Sequence, residues 1–336
     1  MKNTLIDVAK LASVSPKTVS RVMNNEPRVS EETKQKVWQA ARLLNYQPSL
    51  CARQLKGAAT SIGFIYDALN SHYVVDFQRG ILKSCQDNAL ELIIRPSTLN
   101  TEDIVRDIIA MVKRSRLSGL VLTPPFSEIP SLLAELEAEE VNFVKVISAK
   151  QNPDDITVNI NDFQAAYDVA KHLIELGHTK IAFLKGNNEH CSTEQRLSGV
   201  LSCLTDNKLS ANDCEIVEGE YSFASGKLRG NKLLGSDNPP TAIIACNDEI
   251  AAGVLYAAQQ NNVSVPHQLS VVGFEDSPIS WQVWPSLTTA NQNNVTVAQA
   301  ATEVLVAKIK KRSPPKERGF VPALITRDST ARPAVI

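Results

Sequence analysis

Polar side chains follow several short apolar runs of the 336-residue sequence, at positions where buried strands would end. The candidates near these positions are Asp67, Tyr73, Ser148, Arg196, Tyr221, Asn247, Glu275 and Gln292, and Trp281 is a further aromatic candidate. Carboxylate, amide and guanidinium groups bind hydroxyls, and an aromatic ring packs against the apolar face of a pyranose. The set therefore favours a binding site for a polyol.

The sequence lacks the motifs of common catalytic sites. It contains no G-x-S-x-G elbow, no H-E-x-x-H motif, no paired spacing of metal ligands and no glycine-rich phosphate loop. The six cysteines are scattered without a C-x-x-C pair, so we expect free thiols. We therefore expect no catalytic residue, no metal site and no cofactor, which argues against a hydrolase or a sugar kinase.

The apolar runs alternate with longer segments that have helical spacing. Runs such as 62–66, 143–147 and 270–274 are typical of buried strands, whereas 163–176 has the period of a helix. This alternation predicts an α/β fold with doubly wound parallel sheets. The roughly 275 residues involved are many for one sheet, so we expect two lobes whose strand ends face each other across a cleft.

The near-zero net charge of −1 conceals an uneven distribution. The first 60 residues contain ten basic and four acidic residues, a balance of +6, and the remainder contains 25 basic and 32 acidic residues, a balance of −7. Such asymmetry indicates a basic module for a polyanion joined to a larger acidic body.

The basic segment has the pattern of three short helices. Apolar spacing predicts helices over 5–12, from Pro16 to about Met23, and from Ser30 to about Asn45. Two short helices joined by a tight turn and closed by a third form a helix-turn-helix. Its second helix would expose Lys17, Thr18, Ser20 and Arg21, side chains that can reach bases and phosphates in a major groove.

The residues of this segment match more than a general pattern. Residues 7–24 are DVAKLASVSPKTVSRVMN, and Val29-Ser30 and Leu44-Asn45-Tyr46-Gln47-Pro48 follow. This motif resembles the head of the LacI/GalR family of bacterial transcription regulators, and the match extends over essentially the whole chain. The resemblance implies a homodimer that binds palindromic operator DNA and carries an effector domain of the periplasmic-binding-protein type I.

The resemblance also implies roles for individual head residues. Pro16, Lys17 and Arg21 stand at the positions that read bases. The residues at positions that contact phosphates or cap helices are Thr4, Ser15, Thr18, Ser20, Asn24 and Tyr46. Residues 49–60 resemble the family's hinge helix, in which Leu55 would be the apolar wedge in the minor groove and Ala52 would permit close approach.

The resemblance implies three domains and a two-lobed body. The divisions are a helix-turn-helix domain over 1–48, a hinge over 49–60, an effector-binding and dimerisation domain over 61–336, a first lobe of about 61–160 and 290–320, and a second lobe of about 161–289 and 321–336. Positions that contact sugar effectors in many members are occupied by Arg196, Tyr221, Asn247, Glu275 and Gln292. Ser148 departs from the acid of several members, and Glu275 departs from the usual Asp.

We expect a repressor that a sugar or sugar derivative releases from DNA. A regulator with a purine-like corepressor, which would strengthen DNA binding, stays open as an alternative. A sugar-binding or sugar-processing protein would not need the basic head. The first 12 residues lack the apolar region of a signal peptide, and no apolar run approaches about 18 residues, so we expect a cytoplasmic protein without a membrane partner.

Overall fold

A computed structural model describes most of the chain. The described residues are 4–23, 29–44, 46, 61–67, 72–97, 103–147, 157–187, 190–210, 214–316 and 318–334. The chain separates into two compact units, Met1–Thr60 and Ser61–Ile336, which we call the head and the body.

The described residues of the head form three helices, α1 (Leu5–Leu11), α2 (Pro16–Met23) and α3 (Glu31–Leu43), as the sequence predicts. Valine side chains from all three helices meet in a small core, the fully buried members being Val8, Val19 and Val37. Helix α3 begins after Ser30, whose hydroxyl accepts a hydrogen bond from the backbone N–H of Thr33 at 3.3 Å. Helix capping and three apolar faces therefore account for the head.

The body alternates strands and helices along most of its length. Its elements in chain order are β1 (Ser61–Tyr66), α4 (His72–Asn88), β2 (Glu91–Pro96), α5 (Ile104–Ser115), β3 (Gly119–Leu122), a 3₁₀ turn (Phe126–Glu128), α6 (Pro130–Ala138), β4 (Phe143–Ile147), β5 (Thr157–Ile160), α7 (Asp162–Leu176), β6 (Ile181–Leu184), α8 (Cys191–Asp206), β7 (Cys214–Val217), α9 (Phe223–Leu234), β8 (Ala242–Ala245), α10 (Asp248–Gln260), β9 (Ser270–Glu275), α11 (Ile279–Gln282), β10 (Thr288–Asn291), α12 (Asn294–Ile309), β11 (Gly319–Phe320) and β12 (Ala323–Ile325).

These strands form two six-stranded sheets. The sheet of the first lobe has the order β11-β5-β4-β3-β1-β2 and is parallel throughout, and the sheet of the second lobe has the order β12-β10-β9-β8-β6-β7. The second sheet is parallel except for its edge strand β12, which runs antiparallel to β10. The predicted fold class, a helical head followed by a two-lobed α/β body, is confirmed.

The chain passes between the lobes after β5, after β10 and after β11. The late helix α12 therefore packs in the core of the first lobe, where Val297, Ala301 and Leu305 join Phe64 and Phe77. Because the strands of each sheet are parallel, their carboxyl ends lie along one edge of that sheet. These edges of the two lobes face each other across a cleft. Among the described residues, no helix is long and apolar enough to cross a membrane.

Candidate functional site

Helix α2 presents a polar and basic face to solvent. Ser15 caps the helix, because its Oγ accepts a hydrogen bond from the backbone N–H of Thr18 at 3.1 Å. The two residues that give the exposed face its positive charge are Lys17 and Arg21, while Val19 and Val22 are buried in the head core. Pro16 is exposed at the first helical position, where no backbone donor is needed.

The other head residues predicted to contact DNA have different surroundings. The Thr4 backbone N–H and hydroxyl donate to the Asp7 carboxylate at 2.8 and 2.7 Å, and these hydrogen bonds lower the pKa of Asp7. Ser20 is partly exposed on α2, and Tyr46 packs against the head core. Asn24, Ala52 and Leu55, and with them the predicted hinge helix, lie outside the described residues.

A cavity of about 410 Å³ lies between the two lobes. The structure brings together on its wall seven residues predicted to bind the ligand: Asp67, Tyr73, Arg196, Tyr221, Asn247, Glu275 and Gln292. They come from segments far apart in the sequence, because the strand ends of both sheets converge on the cleft. Ser148 lies outside the described residues.

Arg196 is the most extensively bonded of these residues. It is 3% exposed, and its Nε and Nη2 each donate to Asp162 Oδ1 at 2.7 Å. Its Nη1 donates to the Cys246 carbonyl at 2.5 Å, and the guanidinium lies 4.6 Å from the centre of the Phe274 ring. Burial opposes the charge on Arg196, but Asp162, with smaller contributions from Tyr221 and Cys246, holds the pKa above its ordinary value. The guanidinium is therefore a fixed cation with a fixed orientation.

Glu275 ends strand β9 in a backbone conformation that L residues rarely adopt. Its φ is 104°, and Asp276 follows at 55°. Burial raises the pKa of Glu275 to about 8, with Asp248 adding to the rise and Arg196 opposing it. The carboxyl group is therefore mostly protonated at neutral pH and can donate a hydrogen bond as well as accept one.

The turn that carries Glu275 is held by two side chains from other elements. Asp248 is fully buried and accepts hydrogen bonds from the Ser277 backbone N–H at 2.7 Å and from Thr289 Oγ1 at 2.6 Å. Arg327 donates from Nη2 to Asp276 Oδ1 at 2.5 Å. The unusual backbone at Glu275 is therefore supported from both sides.

Tyr221 is positioned by a close contact with backbone. A Cβ atom built at Gly186 would lie 2.2 Å from Tyr221 Cζ, so residue 186 must be glycine for the ring to sit where it does. The Tyr221 hydroxyl shares a 2.7 Å hydrogen bond with Thr193 Oγ1, and the His190 ring meets the Tyr221 ring edge-on at 5.4 Å. The phenol is thus fixed in both position and rotation.

Asn247 and Tyr73 line the cavity and also make contacts that stabilise the fold around it. Asn247 caps α10, since its Oδ1 accepts a hydrogen bond from the Ile250 backbone N–H at 2.9 Å. The Tyr73 ring packs against Phe77 at a tilt of 33°, with 4.5 Å between the ring centres, and burial together with Asp162 raises the pKa of its hydroxyl. Tyr73 is therefore neutral at physiological pH.

The structure adds cavity residues that the sequence interpretation missed. The polar and charged ones are Tyr66, Thr123, Asp162, Asn187, Ser192, Glu220 and Glu249, and His190, whose position at the rim was ambiguous from the sequence, also lines the cavity. Asp162 lies two residues after the end of β5. The expectation that polar residues at strand ends line the cleft would have included it, had residues 157–160 been recognised as a strand. Glu249 lies two residues beyond Asn247, on the first turn of the helix that Asn247 caps.

Trp281, the remaining residue predicted to bind the ligand, is not among the residues that line the cavity. It lies in the short helix α11, where Ser280 is fully buried and Trp281 is 59% exposed. Because neighbouring residues on a helix point about 100° apart, burying Ser280 turns Trp281 outward. Trp284 is also exposed.

The cavity wall is acidic. Among the described residues that line it, five are carboxylic acids, Asp67, Asp162, Glu220, Glu249 and Glu275, and one carries a guanidinium, Arg196, which is paired with Asp162. A phosphate or carboxylate ligand would meet repulsion, whereas hydroxyl groups would find acceptors. Within the described ranges, no group of three or more His, Cys, Asp or Glu side chains is placed to hold a metal ion.

Comparison with known proteins places both units. A family model described as bacterial regulatory proteins, lacI family, matches residues 4–49, and a periplasmic binding protein-like domain matches residues 170–330. The transcriptional repressor PurR of Aliivibrio salmonicida is 32% identical over 97% of this chain and 98% of its own length. The chain belongs to the LacI family of bacterial regulatory proteins.

Other members of the LacI family cover similar shares of the chain. The ribose operon repressor of Haemophilus influenzae is 30% identical over 91% of this chain and 92% of its own length. The solved structure of the lac repressor dimer bound to operator and an anti-inducer superposes with a TM-score of 0.82, at 27% identity, over 98% of this chain and 100% of that chain. The protein is therefore a DNA-binding transcriptional regulator and not an enzyme.

Proposed function

We propose that this LacI-family regulator is a homodimeric repressor that leaves its operator when an uncharged sugar binds in the cleft. The observation that carries the proposal is the cavity, whose wall combines carboxylates, amides and three tyrosines from both lobes. The volume of about 410 Å³ lies within the range of small-molecule sites in proteins. The acidic wall favours a ligand without phosphate or carboxylate groups.

The polar groups suit hydroxyls in particular. Arg196 is a rigid donor, Asn247 and Gln292 carry amides, and the mostly protonated Glu275 can serve as donor or acceptor. Tyr221 supplies an aromatic ring whose position is fixed by Gly186. These are the groups that hydrogen-bond the rim of a pyranose and pack on its apolar face. The H. influenzae relative is named as a ribose operon repressor, in accord with a sugar ligand.

In the head, we assign base recognition to Pro16, Lys17 and Arg21 and phosphate contacts to the capping and polar residues around them. A dimer would place two heads on a palindromic duplex with half-sites about one helical turn apart. We further propose that residues 49–60 form the hinge between the head (1–48) and the body (61–336), with Leu55 as a minor-groove wedge. The lac repressor, whose solved structure superposes on this chain, is a dimer bound to its operator in that structure.

Sugar binding and operator binding would be linked through the two lobes. A ligand contacting both lobes favours the closed cleft, and a changed lobe angle alters the spacing of the two heads. The loss of DNA affinity can be no larger than the differential affinity of the sugar for the two states of the body.

A purine-like corepressor is the second candidate. Tyr73 and Tyr221 both line the cavity, and two aromatic faces also suit a flat heterocycle. A corepressor would strengthen DNA binding, whereas the sugar is expected to weaken it. The acidic wall and the carboxyl and amide groups favour the sugar.

Thermal shift of the full chain against sugars and nucleobases tests the proposal, because a bound ligand raises the unfolding temperature by mass action. Duplexes selected by the protein from a random pool then supply the DNA probe. We expect a neutral sugar to stabilise the protein and weaken binding to the selected duplex. Stabilisation by nucleobases alone, with tighter DNA binding, would replace the sugar by the corepressor.

A further inference from the structure

Glu128 reaches from the first lobe to a helix of the second. It ends the 3₁₀ turn after β3, and its Oε2 accepts a hydrogen bond from the backbone N–H of Cys191 at 3.2 Å. Cys191 is the first residue of α8, which packs in the second lobe. The contact therefore joins the lobes through polar atoms of two residues that do not belong to the three crossing segments.

Helix α8 lacks a side-chain cap of its own. His190 stands at its N-cap position and makes no capping hydrogen bond. The first N–H groups of a helix have no partner within it, and the N-terminus carries a partial positive charge. Glu128 supplies both the missing acceptor and a negative charge, so α8 is capped in trans by the opposite lobe.

The contact of Glu128 with α8 also has a desolvation cost. The second oxygen, Oε1, is buried and finds no hydrogen-bond partner among the described residues. Burial raises the pKa of Glu128, and the hydrogen bond from Cys191 opposes that rise. Opening the cleft would return Oε1 to water but break the bond to α8. The gain from capping and the cost of desolvation therefore oppose each other.

We propose that Glu128 is a positioning residue that latches the first lobe onto the first turn of α8 and thereby sets how readily the cleft closes on its effector. The first two turns of α8 also carry Ser192 and Arg196, which line the cavity. A ligand held by these side chains and by the first lobe adds to the same closed arrangement that the latch supports. The latch deepens the proposed function, and its link to the effector rests on that function.

Amide hydrogen exchange of the full chain without effector tests the latch directly. Glu128→Ala removes acceptor and charge, and Glu128→Gln retains an acceptor without the charge. Glu137→Ala, an exposed glutamate on α6 of the same lobe, is the matched control. We expect exchange at residues 191–194 to accelerate about tenfold or more in Glu128→Ala, because a hydrogen bond to a charged group contributes at least the roughly 1.4 kcal/mol that corresponds to tenfold. Glu128→Gln should lie between, and Glu137→Ala should match wild type.

Wild-type exchange at 191–194 in Glu128→Ala would overturn the latch. So would acceleration spread evenly over both lobes, which indicates general destabilisation. If Glu128→Ala does not fold, the isosteric Glu128→Gln gives the same comparison. The sugar found by thermal shift supplies the second measurement, and its affinity should fall in the order wild type, Glu128→Gln, Glu128→Ala. An absence of any sugar ligand would refute the proposed effector while the exchange result still decides the latch.

Discussion

Replacing Arg196 by methionine should destabilise the body far more than removing an exposed cation from the same fold. The substitution keeps most of the side-chain length but leaves the Asp162 carboxylate buried without its guanidinium, which now donates to it twice at 2.7 Å. Breaking a buried ion pair from one side costs about 3–5 kcal/mol. At about 2–4 °C for each kcal/mol in a large domain, the unfolding temperature of the body should fall by about 6–20 °C.

Two companion variants separate the ion pair from loss of bulk. Asp162→Asn combined with Arg196→Met removes both charges, so its cost should be smaller than the sum of the single costs by about 1–3 kcal/mol. Lys171→Met removes an exposed lysine 3.8 Å from Glu175 on α7 and should cost less than about 1 kcal/mol.

Urea denaturation followed by circular dichroism, together with thermal melting, measures all of these free energies. The reasoning fails if Arg196→Met costs no more than Lys171→Met, or if the two single changes at the ion pair simply add. Either result would mean that Asp162 is not energetically dependent on Arg196. Effector binding should be lost in Arg196→Met even at temperatures where the variant is folded.

Three further changes test the cavity, its protonation and the head. Gly186→Ala should displace the Tyr221 ring and weaken sugar affinity about tenfold or more by calorimetry, because overpacking costs about 1–3 kcal/mol, and unchanged affinity would contradict the close contact. Between pH 4.5 and about 8 the folded Glu275 carboxyl keeps a proton that the unfolded chain has lost, so the free energy of unfolding of the wild type should fall as pH rises. Glu275→Gln should reduce this fall, and equal pH slopes for variant and wild type in denaturation series would refute the raised pKa. Arg21→Ala should abolish discrimination between the selected duplex and a random one in fluorescence anisotropy, whereas Lys36→Ala, with the same charge change on α3, should retain it.

The apolar pattern was sufficient to locate the strands that are buried on both faces. Runs such as 143–147 and 181–184 coincide with β4 and β6, because an apolar run of four or five residues is typical of a buried strand and too short for a buried helix. Strands β5, β7, β11 and β12 were not recognised. Their sequences, TVNI, CEIV, GF and ALI, are short or partly polar, and they become strands by pairing with neighbours that the sheet supplies.

The cavity was predictable where it follows strand ends and unpredictable where it depends on pairing. Glu275 and Asn247 come directly after buried runs, so their position follows from the topology of parallel sheets. Asp162 meets Arg196 only because α7 packs against α8, and no local pattern encodes that contact. The outward orientation of Trp281 depends on which residue of a four-residue helix is buried, and so short a helix has no readable period.

The late position of α12 and β11 in the chain affects the order in which the protein can fold during synthesis. The head needs only residues up to about Tyr46 for its core, whereas the core of the first lobe needs Val297, Ala301 and Leu305. Because domains emerging from the ribosome fold as units from the N-terminus, a nascent chain carries a completed head long before either lobe can close. Truncated or stalled products would thus contain a DNA-binding head without a finished sensor, and the need for two bodies to pair would keep such fragments from occupying an operator as stably as the whole protein.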